Sequence, residues 1–545
     1  MRRGGRQRPA ARLRSSDAGG DAPFIDHGPH GRRPPPGMSI GLPQSAFSEF
    51  PVSPHRPCGM GLSRRGFLVG TVLAGGAALA GAAGTLQRGG GPDADAAAAE
   101  PGGYLTLPGT QPPKLTVRRT GNTAPGLVFL GPFRGTDYAD ALIVDDDGEP
   151  VWFRGSSDLV TDLRVQTYKG EPVLTYWEGA RLVGGHGAGN GVLLDRTYTK
   201  IAEVRAGDGM HGDLHEFQLT DRGTALLTAY PEVTADLRPI GGPRDGHVYG
   251  CRVQEVDIAT GKVLLDWKAL DHIAIAETKM PMTKDTDGTK GRTFDPVHVN
   301  SVQAYGDTLL VSARDTCALY CVDRRTGAVR WRLGGRRSDF AIGPRAAFAW
   351  QHDARRLDAT TISLFDNHIT NVGDGPSRGL LLKIDERARK ATLLREYTDG
   401  KTYGQYMGNV QLLQGGNAVV GYGSTATVIE FGPDGKPVME MTGAGSYRAY
   451  RSPWSARPAT APSVAVASVA DGRMRVHASW NGATDVAAWR FLTDADAARF
   501  TAAATARRTG FETAATMPVA PRVVAEALAA NGSVLARSAV QAVSV

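Results

Sequence analysis

One hairpin pattern recurs six times along the chain, and this repetition constrains the fold more than any other feature of the sequence. Each copy is an apolar strand, a turn that often reads Thr-Gly, and a second apolar strand that often ends in Trp. Turn glycines such as Gly148, Gly261 and Gly327 suit tight hairpins because glycine adopts positive φ without strain. The six copies lie at 141–152, 192–204, 253–267, 319–331, 382–394 and 428–439.

A second hairpin lies between successive copies and has its own signature, a Gln between two apolar residues. Two hairpins per unit make four strands, and six such units fit a six-bladed β-propeller. The alternatives are a pair of β-sandwiches, which does not explain six spaced copies, and a β-helix, which repeats at a much shorter period. The Gln hairpins lie at 165–174, 217–227, 302–311 and 410–420, with a looser copy at 354–364.

The pattern changes after Pro453, where short alternating strands replace the repeat. About 85 residues of this kind predict one small immunoglobulin- or fibronectin-like β-sandwich. The sequence therefore predicts an all-β protein, with a propeller over 105–452 that carries the active site and a sandwich over 460–545.

The N-terminal part of the chain resembles an export leader. Arg64-Arg65 stands just before an apolar, Gly/Ala-rich stretch that is too short for a confident membrane span, which is typical of a twin-arginine signal peptide and linker over 60–100. We therefore expect the twin-arginine translocase as a partner and a secreted or envelope-associated protein. An Ala/Gly linker with two chance arginines is the alternative. Residues 1–59 have no apolar period and are predicted to be a disordered extension, or one mis-called upstream of a start at Met38 or Met60.

The positive charge of the chain belongs to this leader. The formal net charge is +7, and residues 1–65 contain eleven Arg against four acidic residues, so the remainder sums to about zero. A basic surface for nucleic acid would have to lie in the folded part. We therefore predict no nucleic-acid partner.

Export would permit disulfides, and three cysteines follow the leader. Cys317 and Cys321 are four residues apart in a predicted strand, too far apart to bridge each other. A bridge from Cys251 to either of them stays open.

Three histidines stand where the first strand of a unit begins. His215, Asn300 and His352 hold equivalent positions ahead of the Gln signature, and His298 shares the face of Asn300 because it lies two residues earlier. First strands line the axis of a propeller, so these side chains should converge at one mouth of the channel. The next strand of each hairpin returns to the same end and brings Arg314, Asn367 and Tyr230 there.

A lone histidine at a strand start is usually an ordinary hydrogen-bonding residue, but three at matched positions indicate a site. Three histidines could hold a metal ion, although Arg314 beside them would oppose a cation, so we predict no metal. Arginine with several histidines instead suits a tetrahedral oxyanion such as sulfate.

At these residues the chain resembles the bacterial arylsulfate sulfotransferase family, over about residues 115–450. The twin-arginine leader and the appended C-terminal module are similar to the actinobacterial members. The motifs that carry the resemblance are Asp213-Leu214-His215-Glu216-Phe217, His298-Val299-Asn300-Ser301-Val302, Ser312-Ala313-Arg314, Gln351-His352, Phe365-Asp366-Asn367 and Gly408-Asn409-Val410-Gln411.

The resemblance implies transfer of a sulfuryl group from a phenolic sulfate ester to a phenolic acceptor, with neither a nucleotide sulfate donor nor a cofactor. It implies a ping-pong route in which His352 becomes a sulfohistidine while His215, His298 and Arg314 hold the sulfate oxygens. Asn300, Asn367 and Tyr230 are then expected to bind substrate. A non-catalytic exported propeller that binds a small anion or glycan is the alternative. A quinone-dependent dehydrogenase is disfavoured because no acidic calcium site has matched spacing.

Overall fold

A computed structural model of the chain describes residues 103–156, 158–368, 375–494 and 499–543. These residues form 36 strands and five single-turn 3-10 helices, so the all-β prediction is confirmed. No helix among them is long and apolar enough to cross a membrane. The predicted leader around Arg64-Arg65 lies outside the described residues and stays a prediction. The helices are Val183–Gly185, Arg238–Ile240, Ala269–Asp271, Ile275–Glu277 and Gly423–Thr425.

The repeat region contains strands β1 to β28, numbered in chain order. Their bounds are β1 Thr116–Arg119, β2 Leu127–Arg134, β3 Leu142–Val144, β4 Pro150–Phe153, β5 Leu159–Tyr168, β6 Glu171–Arg181, β7 Gly187–Leu194, β8 Lys200–Val204, β9 Phe217–Leu219, β10 Thr224–Ala229, β11 Glu232–Ala235, β12 Gly246–Tyr249, β13 Arg252–Asp257, β14 Val263–Lys268, β15 Val299–Tyr305, β16 Thr308–Ala313, β17 Ala318–Asp323, β18 Val329–Gly334, β19 Ala341–Ile342, β20 His352–Arg356, β21 Thr361–Asp366, β22 Arg378–Asp385, β23 Lys390–Tyr397, β24 Asn409–Leu412, β25 Ala418–Gly421, β26 Thr427–Phe431, β27 Pro437–Thr442 and β28 Gly445–Ser452.

Six sheets of four or five strands, here called sheets 1 to 6, are built from these strands, and β11 and β12 pair separately. Every predicted hairpin is an antiparallel pair, because alternating apolar residues and tight turns bring neighbouring strands together. The strand orders are β28-β2-β3-β4 in sheet 1, β5-β6-β7-β8 in sheet 2, β9-β10-β13-β14 in sheet 3, β15-β16-β17-β18 in sheet 4, β20-β21-β22-β23 with β19 in sheet 5, and β24-β25-β26-β27 with β1 in sheet 6.

The two ends of the repeat region are tied together by strand pairing. The last strand, β28, pairs with β2 of sheet 1, and the first strand, β1, pairs with β27 of sheet 6. First strands also contact one another from sheet to sheet, with β5 against β9, β15 against β20, β20 against β24, β24 against β28 and β28 against β5. The starts of the first strands therefore lie near one another.

The Gln of the repeated signature binds the backbone of the next sheet. Gln411 donates from Nε2 to the carbonyl oxygen of Arg451 at 2.9 Å and accepts from its N–H at 2.7 Å. Gln166 makes the same kind of bridge to Phe217 and Leu219. The signature therefore recurs because a side-chain amide can satisfy both backbone groups of a strand to which it is not paired.

The C-terminal part forms two antiparallel sheets that share one hydrophobic core, in which Trp489 and Phe491 are buried. The orders are β29-β30-β33 and β32-β31-β34-β35, with β36 paired to β34. The strands are β29 Ser463–Ala470, β30 Arg473–Ser479, β31 Ala488–Asp494, β32 Thr501–Arg507, β33 Thr513–Pro518, β34 Arg522–Leu528, β35 Val534–Arg537 and β36 Gln541–Ala542.

The three described cysteines are buried and free, so the bridge left open for Cys251 is not formed. Cys321 lies within β17, whereas Cys317 lies just before that strand, with a φ of 49°.

Candidate active site

The three predicted histidines stand at or before first strands of three different sheets. His215 precedes β9, His298 precedes β15 and His352 begins β20, and the exposed fractions of the residues are 4%, 2% and 2%. The ring centroids of His215 and His298 are 4.7 Å apart. Tyr447 of β28 joins them to His352, because its ring centroid lies 5.5 Å from that of His215 and 6.4 Å from that of His352.

Two of these histidines are oriented by aspartates. His215 Nδ1 lies 2.5 Å from Oδ2 of Asp213, and His298 Nδ1 lies 2.7 Å from Oδ2 of Asp295. A carboxylate acceptor keeps the proton on Nδ1, so Nε2 of each ring is left for a ligand. Burial alone would raise the pKa of Asp213, but the charge and hydrogen bond of His215 outweigh it and lower the pKa to about 2. Asp213 therefore stays charged near pH 7 and remains an acceptor for the His215 ring.

His352 is oriented by an amide instead. Its Nδ1 lies 2.7 Å from Oδ1 of Asn367. The Asn367 Nδ2 group donates to the carbonyl oxygens of Gly404 and Met407 at 2.7 and 3.0 Å, which fixes the direction of the amide. His352 therefore carries its hydrogen on Nδ1 and a lone pair on Nε2, which accepts the Met407 N–H at 3.2 Å.

The environment of His352 keeps its imidazole neutral. Burial lowers its pKa well below the ordinary value, and the positive charge of Arg314 acts in the same direction, whereas the hydrogen bond to Asn367 opposes them. A neutral imidazole whose Nε2 carries a lone pair is a competent nucleophile near pH 7.

Arg314 completes the predicted set. Its guanidinium donates from Nε to Asp315 at 2.6 Å, lies 5.9 Å from the ring centroid of Trp350, and belongs to a side chain that is 21% exposed. Burial lowers the pKa of His298 well below the ordinary value, and the positive charge of Arg314 adds to this effect. The same charge acts on His352, so Arg314 lies within electrostatic reach of both rings.

The sequence profile of the arylsulfotransferase (ASST) family matches residues 164–444, which is just over half of the chain and includes the three histidines and Arg314. The chain belongs to the arylsulfotransferase family. A search of curated proteins finds no match.

Solved structures resemble this arylsulfotransferase only distantly. A protein of unknown function from Bacteroides caccae is 11% identical over 60% of this chain and 98% of its own, with a TM-score of 0.35. A protein of unknown function from Dyadobacter fermentans is 10% identical over 74% and 100% of the two chains, also at 0.35. A putative 6-phosphogluconolactonase from Bacteroides fragilis is 9% identical over 60% and 97%, at 0.34. Similarities this low do not indicate a function for this chain.

The two remaining predicted site residues, Asn300 and Tyr230, have clear places. Asn300 is fully buried and donates from Nδ2 to the carbonyl oxygen of Gln351 at 2.7 Å, so it links sheet 4 to the segment before His352. Tyr230 donates its hydroxyl hydrogen to the carbonyl oxygen of Val299 and turns its ring toward the histidines. Neither assignment as a substrate-binding residue is tested by these contacts, and both stay predictions.

A fourth histidine, His186, was missed by the sequence reasoning. It is 1% exposed, and its ring centroid lies 5.3 Å from that of His298 and 5.9 Å from that of His215. It comes from the turn between β6 and β7 of sheet 2, not from the start of a first strand. The signal that could have revealed it is a histidine set among glycines, Gly184-Gly185-His186-Gly187.

A buried charge network beside the histidines was also missed. Arg448 is fully buried, donates to the carbonyl oxygens of His215 and Asn300 at 2.9 Å each, and pairs with Asp162 at 2.8 Å. Burial would raise the pKa of Glu216, but the surrounding guanidinium groups lower it to about 2. Three cations and three anions balance in this network, which contains Arg164, Arg355, Arg448, Asp162, Glu216 and Asp353.

Two overlapping groups of this site have donor atoms that could hold a metal ion. They are His186 with Asp213 and His215, and His186 with Asp295 and His298, with donor atoms within 4.8 Å of one another. Imidazole and carboxylate suit Zn²⁺ and related ions. However, the Nδ1 atoms of His215 and His298 lie at hydrogen-bonding distance from the aspartates, and the Arg314 cation is close. This arrangement favours an anion over a metal.

Proposed function

We propose that this protein is an arylsulfate sulfotransferase that moves a sulfuryl group from a phenolic sulfate ester to a phenolic acceptor through a sulfohistidine on His352. The observation that carries the proposal is the meeting of His215, His298 and His352 with Arg314 in one buried site. Each ring is oriented by a hydrogen bond at Nδ1 that leaves Nε2 for chemistry.

In the first half-reaction the Nε2 lone pair of His352 attacks sulfur, and the bond from sulfur to the phenolic oxygen breaks with its electron pair left on that oxygen. Asn367 Oδ1 accepts from Nδ1 and stabilises the positive charge that develops on the imidazole. Arg314 donates to the sulfuryl oxygens, and His215 and His298 do so from Nε2 when each ring carries a hydrogen on both nitrogens. Preorganised donors of this kind each contribute roughly 2–4 kcal/mol in comparable sites.

The Met407 N–H has two successive partners in this proposal. In the free protein it donates to Nε2 of His352 at 3.2 Å, which occupies the lone pair needed for attack. When sulfur bonds to Nε2, this N–H lies beside the sulfuryl oxygens and can donate to one of them. Met407 has a φ of 66°, a conformation that is costly for a non-glycine residue and that aims its N–H at the ring.

In the second half-reaction an acceptor phenol gives its hydroxyl proton to a base of the site as its oxygen attacks sulfur, the nitrogen–sulfur bond breaks, and the electron pair returns to Nε2. The same buried site serves donor and acceptor in turn, which is the physical basis of ping-pong kinetics.

The test combines turnover with intact mass. Wild type should release more than one equivalent of nitrophenolate from p-nitrophenyl sulfate only when a phenol acceptor is present, and a His352→Ala variant should release none. Donor alone should add the mass of one sulfuryl group to wild type, and peptide mapping should place it on His352. His211→Ala is the matched control because His211 is exposed, and it should behave as wild type.

Unchanged turnover in His352→Ala would contradict the proposal. Binding of sulfate without turnover in wild type would instead support the alternative, a non-catalytic protein that binds a small anion.

We also propose that sheets 1 to 6 are the blades of a six-bladed β-propeller over 105–452 and that the C-terminal sheets are an immunoglobulin- or fibronectin-like sandwich over 460–545. The serial contacts of the first strands and the pairing of β28 with β2 support the propeller. An experimental structure would test both assignments.

We further propose that Arg64-Arg65 directs export through the twin-arginine translocase. Replacement of both arginines by lysine should retain the protein in the cytoplasm, and normal export of that variant would contradict the proposal.

A further inference from the structure

His186 differs from the other three histidines of the site because neither of its buried ring nitrogens makes a well-aligned hydrogen bond to a described residue, although Nε2 lies 3.2 Å from Oδ2 of Asp295. It follows a single-turn helix in which Gly184 and Gly185 have positive φ of 82° and 88°, a path that other residues adopt only with strain. A buried imidazole held only by such a contact can exchange it for a ligand.

The surroundings of His186 combine aromatic and acidic groups. Its ring centroid lies 4.1 Å from that of Tyr230 and 4.4 Å from that of Tyr249. Its Nε2 lies 3.2 Å from Oδ2 of Asp295, and its Nδ1 lies 3.9 Å from Oδ1 of Asp213. Aromatic rings suit the ring of a phenol, and the two carboxylates are acceptors for a hydrogen on the imidazole.

This cluster lies close to the protein surface. Gly184 is exposed, and a Cβ added to it would lie 3.4 Å from Cδ2 of His186 and 3.6 Å from Cε2 of Tyr249. Tyr249 itself is half-buried. Gly184 and Tyr249 therefore form the surface-facing side of the His186 environment.

We propose that His186 is the general acid–base of this site and that Tyr230 and Tyr249 bind the aromatic ring of the donor and then of the acceptor. This inference rests on the proposed sulfuryl transfer. When the bond from sulfur to the phenolic oxygen breaks, the oxygen keeps the electron pair and takes a proton from imidazolium His186. In the second half-reaction the acceptor phenol returns a proton to His186 as its oxygen attacks sulfur, and the cycle is balanced.

The other three histidines of the site already have roles in the proposed mechanism. His352 is the nucleophile, and His215 and His298 each hold a hydrogen bond to an aspartate through Nδ1 and present Nε2 to the sulfuryl oxygens. A group that carries a proton to and fro must be free to change partner. Among the four histidines, His186 meets that requirement.

The experiment is a leaving-group series in a single-turnover assay with wild type and His186→Gln. Glutamine fills similar space and can donate a hydrogen bond but cannot transfer a proton. p-Nitrophenolate leaves readily without a proton, so its release should fall less than about tenfold, whereas release of unsubstituted phenol should fall about 10²- to 10⁴-fold. His247→Gln is the control because His247 pairs with Glu232 near the surface, and it should leave both rates unchanged.

An equal loss for all donors would overturn the proposal, since a merely structural role does not depend on the leaving group. If His186→Gln does not fold, wild type alone decides, because a steep dependence of its rate on leaving-group pKa would show that no acid assists. Loss of wild-type activity with a chelator and its return with added Zn²⁺ would overturn it in favour of a metal site. Absence of sulfuryl transfer in wild type with every donor would refute the proposed function itself, a distinct outcome.

Discussion

At the scale of single residues, the hydrogen bond at Nδ1 orients each histidine ring of the site. Each of the three predicted histidines has its Nδ1 at hydrogen-bonding distance from an oxygen acceptor, Asp213, Asp295 or Asn367. The acceptors differ in charge, and this difference fits a division of labour. A carboxylate fixes the orientation of the two rings that face the sulfate oxygens, whereas a neutral amide leaves the His352 imidazole uncharged and nucleophilic.

The first prediction concerns pH. The pKa of His352 is lowered well below its ordinary value by burial, so the neutral, nucleophilic form persists as pH falls. The rate of sulfuryl uptake from p-nitrophenyl sulfate should stay level between about pH 8 and pH 6.5, the ordinary histidine pKa. Stopped-flow release of nitrophenolate checks this, and a loss of half the rate near pH 6.5 would contradict it.

The second prediction concerns Asn367. Asn367→Ala removes the acceptor that holds the hydrogen on Nδ1, so His352 can adopt the other tautomer, in which Nε2 carries the hydrogen and cannot attack. We expect the rate of sulfohistidine formation to fall about 10- to 100-fold. Asn367→Asp should shift the pH profile to higher pH, because a carboxylate stabilises imidazolium. Rate and profile unchanged in both variants would refute this role.

At the scale of elements, the repeated Gln signature is a link between sheets. Gln411 and Gln166 each satisfy backbone groups of a neighbouring first strand that no ladder reaches. These bridges set the positions of the strand starts, where the histidines stand. The Gln side chains that link neighbouring sheets therefore also help to position the histidines.

The third prediction follows from this link. Gln411→Ala leaves the N–H and carbonyl of Arg451 without their partners, and such loss costs about 1–3 kcal/mol when the groups are buried. Gln414→Ala, three residues away and exposed, should change the free energy of unfolding by less than about 0.5 kcal/mol. Urea denaturation of both variants checks the difference, and equal stabilities would contradict it.

At the scale of the whole molecule, the buried charge network joins four parts of the chain that are distant in sequence. Arg448 of β28 pairs with Asp162 of β5 and Asp353 of β20, and reaches the carbonyl of His215 in sheet 3. The three carboxylates of this network can be buried because three guanidinium groups neutralise their charge. The network therefore links β28, the strand that joins the two ends of the repeat region, to the backbone of His215 and Asn300.

The fourth prediction is that Arg448→Leu lowers the free energy of unfolding at pH 7 by about 3–5 kcal/mol, because it leaves buried carboxylates uncompensated. The wild-type pKa of Glu216 is lowered to about 2, so the stabilisation is complete above its ordinary pKa of 4.5 and is lost as pH falls toward 2. The deficit of the variant should therefore shrink as pH falls below 4.5.

Denaturant titrations at pH 7 and pH 4 measure this change in deficit. Arg118→Leu, at an exposed position of β1, is the control and should stay within about 0.5 kcal/mol of wild type at both pH values. A deficit that does not depend on pH would contradict the electrostatic explanation.

The sequence by itself determined the all-β class, each repeated hairpin, and the residue types of the site, because strand period and turn chemistry are local properties. It also led to His215, His298, His352 and Arg314, which the tertiary structure brings together. Counting from the Gln signature placed Asn300 in register with His215, but β15 shifts register between Val299 and Ser301, and His298 contacts His215 instead.

Only the tertiary structure decided the partners of these residues. His186 comes from a turn of a different sheet, and Tyr447 and Arg448 come from the strand that closes the repeat, so no spacing within one unit reveals them. Hydrogen-bond partners, tautomers and buried ion pairs depend on which distant segments meet. A local sequence pattern predicts the structure of its own strand. A site built from several sheets forms only when strands that are distant in sequence pair, as β28 does with β2 and β1 does with β27.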